Sequence, residues 1–455
     1  MDNARLGALL EQAGVSHTAL AKRVSDGCAR RRVPRSYTAT SVEGWLRGRT
    51  PQDPAPVVIA EVLSVRLGRP VGVLELGFAV TPLPEHLGLG YPVAVRDTVD
   101  AVVAMWEADM LRRDFLAGAG ALAGAFSAPV RDWLVAGQES VAFSGTARRV
   151  GATDVDVLWS MCRTFQEADR RLGGGHARAT LMTYAHDHVR PLLHASYDDA
   201  VGRDLYRATA CLVETGAFMA FDTGRHGLAQ RYYIQALRLA QAAGDHVLGS
   251  YVLGSMSIMD HQLGDGREAL AQARAGQRAA LAGPRKSYAA YSKCLAQEAK
   301  AHALLADRPA AEQALAKAET ALDRVHPEDE PFWVSAYISD FHADAAFAAA
   351  DLRRSADTQR HAALASTPGD GRERRRALVL AAVAESHLTG GTSEVDVTES
   401  TRVANEALEL AARMESARVL DLITHLRRRL ATQHPTHPDA QAFEDRARAL
   451  LPNTA

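Results

Sequence analysis

Only four cysteines occur in the 455 residues, at 28, 162, 211 and 294, and no two of them have a paired spacing. That fits neither a disulfide framework nor a zinc site, and a reducing cytoplasm is the expected compartment. Aromatic residues are scarce, at 6%; beside abundant alanine, this favours helices packed closely through small side chains. Lysine is nearly missing: five (22, 286, 293, 300 and 317) stand against 47 arginines, the bias of a GC-rich genome. No apolar run approaches the ~18 residues of a membrane span, so no membrane partner is expected. The opening Met-Asp-Asn-Ala-Arg begins an amphipathic helix and not a signal peptide. Enzymatic signatures are missing too. There is no phosphate-cradling glycine loop ending in Lys-Ser/Thr and no Gly-x-Ser-x-Gly elbow, so neither catalysis nor a cofactor is expected. His186, Asp187, His188 and His194 have the residue types of metal ligands. They lack a supporting cluster, and with 17 histidines in the chain they read as chance neighbours, with no metal site expected.

What is present is the composition of a soluble globular protein, 47% hydrophobic and 23% charged, at a length that calls for two or more domains. The net charge of −2 is unevenly spread. Residues 1–80 hold eleven Lys/Arg against seven Asp/Glu. Within 22–49, Lys22, Arg23, Arg30, Arg31, Arg32, Arg35, Arg47 and Arg49 face only Asp26 and Glu43. A local basic excess of this kind is the electrostatic footprint of phosphate binding.

That excess flanks the most informative stretch, 38–51, Thr-Ala-Thr-Ser-Val-Glu-Gly-Trp-Leu-Arg-Gly-Arg-Thr-Pro. Val42, Trp45 and Leu46 fall at i, i+3 and i+4 and form one narrow apolar face. Thr40, Glu43, Gly44 and Arg47 fall opposite, with Thr38 and Ser41 at the start of the helix. Such a helix can anchor on a small core and still offer polar tips to base edges. Helices are also expected over 4–13, 17–25, 57–67 and 71–78, with 26–37 as a basic turn. Arg47 and Arg49 can cap carbonyls as well as touch phosphate, and Glu43 can pair with Arg47.

Residues 79–149 read as a linker and connecting helices, one of them at about 94–113. Arg112 and Arg113 with the following Phe-Leu and Ala/Gly-rich run mimic a twin-arginine export signal, but about 110 residues precede them, so an inter-domain helix is expected instead.

From 150 onward, long alanine-rich helices alternate with Gly-Asp or Pro-Asp punctuation. Aligning the second helix of each pair gives anchors at Ala229, Ala269, Ala311, Ala356 and Ser400, each followed at i+4 and i+7 by Tyr233 and Ala236, Ala273 and Gly276, Leu315 and Ala318, Arg360 and Ala363, and Ala404 and Ala407. Units of this kind bury their faces only by stacking, which predicts an α-solenoid over 150–432 and a capping helix in 433–455. Tyr206, Tyr251, Tyr288, Tyr291, Trp333 and Tyr337 on the first helices are the candidates for a ligand or partner groove.

The small–large–small set resembles the second helix of tetratricopeptide repeats, at a spacing longer than the ~34 residues of the strict repeat. Residues 1–78 resemble the helix-turn-helix of the Xre/Cro-repressor type, most closely in Ser41-Val42-Glu43-Gly44-Trp45-Leu46-Arg47-Gly48-Arg49-Thr50-Pro51. The turn before that helix is about a dozen residues instead of three or four. The longer basic variant, together with the internal Arg-Arg-x-Phe-Leu, looks like actinobacterial regulators of the NsdA-like kind, which carry a tetratricopeptide-like C-terminal region. The resemblance implies an all-α chain with an N-terminal helix-turn-helix and a C-terminal solenoid. It implies a cytoplasmic transcriptional regulator that binds double-stranded DNA as a homodimer and senses a small molecule, peptide or protein. The alternative is a tetratricopeptide-like interaction scaffold whose N-terminal helices bind protein and not DNA.

Overall fold

A computed structural model describes residues 3–30, 36–49, 51, 55–67, 71, 76–77, 86–111, 121–135, 137, 139–145, 149–335, 340–365, 371–389 and 395–451. The fold is all-α, and among the described residues the extended pairing amounts to two isolated bridges, Phe143 with Tyr197 and Arg149 with Ser196. None of the described helices is long and apolar enough to cross a membrane. The chain divides into two compact bodies, 1–85 with 107–116 and 86–106 with 117–455.

The first body contains α1 (Ala4–Ala13), α2 (His17–Arg30), α3 (Ala39–Leu46) and α4 (Ala55–Leu67). Their inward residues are those the apolar spacing selects: Leu6, Leu9 and Leu10, then Leu20, Ala21 and Val24, then Val42 and Trp45, then Val58, Ile59 and Leu63. Two boundaries differ from expectation. The second helix continues to Arg30 because Cys28, one turn beyond Val24, is also in the core. Gly27 lets α4 come close, since a Cβ there would lie 2.3 Å from Val58 Cγ1. Eight residues, 31–38, therefore separate α2 from α3, and not a dozen. Of the helix expected over 71–78, residues 72–75 and 78 lie outside the described residues. Val71 and Leu76 are buried and tied down, Val71 N–H donating to Ser64 Oγ (2.8 Å) and Asn3 Nδ2 to the Leu76 carbonyl (2.7 Å).

The second body takes α5 (Val95–Leu111) as far as Trp106, then α6 (Ser127–Val135), α7 (Ala152–Leu172), α8 (Gly174–Tyr184) and α9 (Arg190–Leu193). Antiparallel hairpins follow: α10 (Asp199–Asp222) with α11 (His226–Ala242), α12 (His246–Gln262) with α13 (Gly266–Ala280), and α14 (Tyr288–Leu304) with α15 (Arg308–Leu322). After the short α16 (Phe332–Ser335) come α17 (Phe341–Asp351) with α18 (Ser355–Ala365), α19 (Glu373–His387) with α20 (Val397–Ala411), and α21 (Ala417–Gln433) with α22 (Pro438–Leu450). The anchors at 229, 269, 311 and 400 are all buried between neighbouring helices. The fourth unit is shifted. Ala356, Arg360 and Ala363 are exposed, and the buried face of α18 carries Thr358, His361 and Ala365. Alanine spacing alone misplaced that register by two residues because the true anchor there is a threonine.

The Gly-Asp punctuation has a physical basis. Gly244 and Gly264 adopt left-handed φ of +68° and +84°, and the residue after each donates its N–H to a carbonyl five residues back. This is the Schellman ending. Asp245 and Asp265 then cap the next helix, accepting from the N–H of Leu248 and Glu268. Two corners make the same turn without glycine, Ala306 at φ +60° and Arg353 at +54°. Left-handed backbone costs an L-residue about 1–2 kcal/mol. Ala306→Gly and Arg353→Gly are therefore expected to raise the unfolding free energy by about 1 kcal/mol each, read as a higher urea midpoint with an unchanged slope.

Residues 86–93, expected to be linker, are strapped along α11. Arg231 Nε donates to the Leu87 carbonyl (3.0 Å), Gln235 Nε2 to those of Gly88 and Gly90 (2.8 Å each), and Arg238 Nε to that of Pro92 (2.7 Å). The export-like Arg112 and Arg113 lie outside the described residues.

The solenoid also closes on itself. Near its start, Leu172 at the end of α7 accepts from Glu415 N–H between α20 and α21 (3.0 Å), and Gly175 N–H donates to the Glu415 carbonyl (3.1 Å). Gly173, at φ +82°, permits this junction, because a Cβ there would meet Glu415 O at 2.6 Å. Helix α7 also packs against α10 and α19, so α7, α10 and α19 surround a shared interior.

Candidate functional site

Two places gather side chains that are candidates for a functional site, one in each body. In the first, α3 is held by Trp45, whose ring meets the Tyr37 ring edge-on at 5.2 Å between centroids. Tyr37 is fixed in turn, its N–H donating to Ser25 Oγ of α2 (2.8 Å). At the start of α3, Ser41 Oγ accepts the Thr38 N–H (3.1 Å). At its end, Gly48 takes φ +87° and the Arg49 N–H reaches the Gly44 carbonyl (2.9 Å), another Schellman ending. Thr38, Thr40, Arg47 and Arg49 are exposed and Ser41 half-buried, while Val42 and Trp45 face inward.

Two expected readers differ from their sequence reading. Gly44 is buried, not on the polar face, because the Arg49 side chain lies over it; a Cβ at 44 would touch Arg49 at an ordinary 3.5–3.7 Å. Glu43 and Arg47 form an exposed ion pair at 3.1 Å, the local i,i+4 pairing that was the other reading of Glu43. Of the phosphate candidates, Lys22 is exposed on α2 and Arg23 is half-buried. Arg30 occupies the last position of α2, and Arg31, Arg32 and Arg35 lie outside the described residues.

In the second body, the closure of the solenoid forms a partly open cavity of about 110 Å³. Its wall carries seven cations (Arg170, Lys293, Lys300, Arg372, Arg374, Arg375 and Arg418) and four carboxylates (Asp169, Glu214, Asp340 and Asp344). Arg374 grips Asp169 through two bonds of 2.7 Å and stands 3.4 Å from Asp222. Burial works against its charge, but Asp169 and Asp222 outweigh that and drive its pKa up. Asp340 pairs with Arg372 and with Arg375 (3.0 Å), and Lys300 with Asp344 (3.3 Å). Lys293 Nζ instead donates to neutral acceptors, the Tyr251 carbonyl and Ser255 Oγ, both at 3.2 Å, and sits 3.4 Å from the centroid of the Tyr251 ring. Ser255 Oγ in turn donates to Glu214 (2.8 Å).

Burial pushes the Glu214 carboxyl up to about 7 and the Lys293 ammonium down to about 8, each partly offset by the other. A carboxyl whose folded pKa exceeds its usual 4.5 contributes stability that is complete below about pH 4.5 and is lost as pH rises through about 7. Glu214→Gln is therefore expected to remove up to about 3 kcal/mol of the decline in stability between pH 4.5 and 8. Urea unfolding at both pH values checks this, and a parallel decline in wild type and variant would refute it. Asp260, also raised to about 7 by burial, has the same sign and is common to both proteins.

The six groove candidates separate. Tyr251 and Trp333 line the cavity. Tyr206 is core, its hydroxyl 2.9 Å from that of Tyr197. Tyr288 lies under Arg324, and Tyr291 packs against the cluster around Leu295 and Phe341. Tyr337 lies outside the described residues. The buried charges went unremarked in the sequence, yet one signal was there. Two of the five lysines, 293 and 300, stand seven residues apart on one face of an otherwise alanine-rich helix.

Residues 6–79, the stretch containing most of α1 and all of α2–α4, match a family model described as the SP15 N-terminal domain. No curated protein and no solved structure matches the chain.

Proposed function

We propose that the chain is a DNA-binding transcriptional regulator, an Xre-like helix-turn-helix joined to a tetratricopeptide-like solenoid that dimerises and receives an effector in the cytoplasm. The observation that carries this reading is α3: its apolar side is sunk in the first body's core while Thr38, Thr40, Arg47 and Arg49 stay exposed beside a basic segment. In this reading α3 enters the major groove, Thr40 and Arg47 read bases, and Lys22 and Arg49 hold phosphates. Arg47 must exchange Glu43 for a base edge, which is inexpensive for an exposed pair worth about 1 kcal/mol or less. Gly44 lies too deep beneath Arg49 for a direct contact.

Gel shifts on genomic fragments test the proposal. Lys22→Ala and Arg49→Ala are expected to weaken binding to all sequences and to lower the salt slope by about one each, whereas Thr40→Ala and Arg47→Ala relax sequence preference. Equal loss on specific and random DNA for Arg47→Ala removes its base-reading role. If no duplex survives competition by random DNA, the scaffold reading replaces this one.

A further inference from the structure

We propose that the partly open cavity formed by the solenoid binds a small organic anion, a carboxylate or phosphate on a flat apolar body, as the effector of this chain. The inference rests on the sensing role given above to the repeats and names its ligand chemistry.

Charge is the first argument. Seven buried or half-buried cations face four carboxylates on the wall and a fifth, Asp222, behind Arg374 and Arg418, which leaves an excess of positive charge that is costly without a counter-ion. The excess has a location. Arg170 donates to the Gln166 amide oxygen (3.4 Å) and Lys293 to neutral acceptors, one of which, Ser255, links it to Glu214, while Arg418 donates to Gln262 (2.6 Å) and stands 3.9 Å from Asp222, itself already held by Arg374. The second argument is an unused donor. The indole N–H of Trp333, a cavity-lining residue only 6% exposed, is buried with no acceptor among the described residues. Third, the wall has an apolar share: Phe218, Tyr251, Phe347 and Trp333 contribute rings beside Ile258 and Leu378, and Trp333 is itself stacked on Trp159 at 5.0 Å. Arginine forks match carboxylate and phosphate alike. A cavity of about 110 Å³ holds several waters, or a compact organic molecule in their place.

The test uses the full chain without DNA, titrated with benzoate, phenyl phosphate, inorganic phosphate and neutral benzamide. Melting temperature and tryptophan fluorescence are the two readouts. Benzoate or phenyl phosphate is expected to saturate and raise the melting temperature where benzamide and inorganic phosphate do not, and the stronger of the two identifies the head group. Lys293→Met and Arg170→Gln, each with unchanged circular dichroism, should weaken that binding about tenfold or more. The exposed Arg308→Gln should leave it unchanged. Equal binding of benzamide, equal binding of inorganic phosphate, no saturable response to any anion, or wild-type affinity in both cavity variants would each overturn the proposal. Gel shifts with and without the bound probe then separate the two readings. A chain that binds the anion but no DNA keeps the cavity and loses the regulator, and one whose DNA affinity ignores the anion loses only the effector role.

Discussion

Replacing Arg374 with methionine is expected to lower the unfolding free energy by about 3–5 kcal/mol, the largest single effect in the second body. The guanidinium is buried and holds Asp169 of α7 in a two-bond grip, with Asp222 of α10 within 3.4 Å. The two carboxylates fare differently without it. Asp222 keeps Gly174 N–H (2.9 Å) and Ser416 Oγ (2.8 Å), whereas Asp169 loses both of its bonds from Arg374. Most of the loss is thus the cost of an unpaired buried charge, not the net value of the ion pair. That distinction is measurable. Adding Asp169→Leu to Arg374→Met removes the stranded carboxylate and should recover most of the loss, while an additive result would contradict the account. Because α7 meets α19 through this contact across 205 residues of sequence, the single variant should also raise hydrogen exchange in α7 and in the 413–416 corner before the central hairpins respond.

Trp45→Ala is expected to cost the first body about 3–5 kcal/mol. Trp45 is 4% exposed and joins α3 to the core shared with Val42, Leu20 and Leu63. A body of this size has little stability to spare, since small cores yield only a few kcal/mol net. Truncation also releases Tyr37, whose ring rests on the indole and whose backbone is the described attachment of the preceding turn to α2. Amide exchange on the full chain should show α1–α4 losing protection while the repeats keep theirs. Trp45→Phe, which preserves an aromatic contact with Tyr37, should cost markedly less. Retained protection in α3 of the alanine variant would show that the helix is not anchored as described.

Much of the fold was legible from spacing. The first-body core follows the i, i+3, i+4 pattern of α1, α2 and α3, and four of the five repeat anchors are buried where the small–large–small set recurs at i, i+4 and i+7. The pattern failed where its chemistry changed. Thr358 took the place of an alanine anchor, and Cys28 prolonged α2 through a stretch that reads as a basic turn. At the candidate interface, spacing correctly put Trp45 inside and Thr40 outside. It put Gly44 outside as well, because the cover over that residue is the side chain of Arg49, folded back after the helix has ended.

Local sequence is enough to make the chain helical, to set a small basic module before an array of hairpins, and to say where most hairpins turn. Those properties come from local periodicity and from Gly-Asp corners, where each residue's conformation depends on near neighbours. Tertiary structure alone decided that the array closes on itself and that arginines and lysines from α7, α14, α19 and α21 share one interior. Asp169 and Arg374 look like ordinary surface charges on their own helices, and only the close passage at Gly173, Gly175 and Glu415 buries them face to face. Long-range closure depends on the summed geometry of many helix pairs, and no local pattern carries that sum.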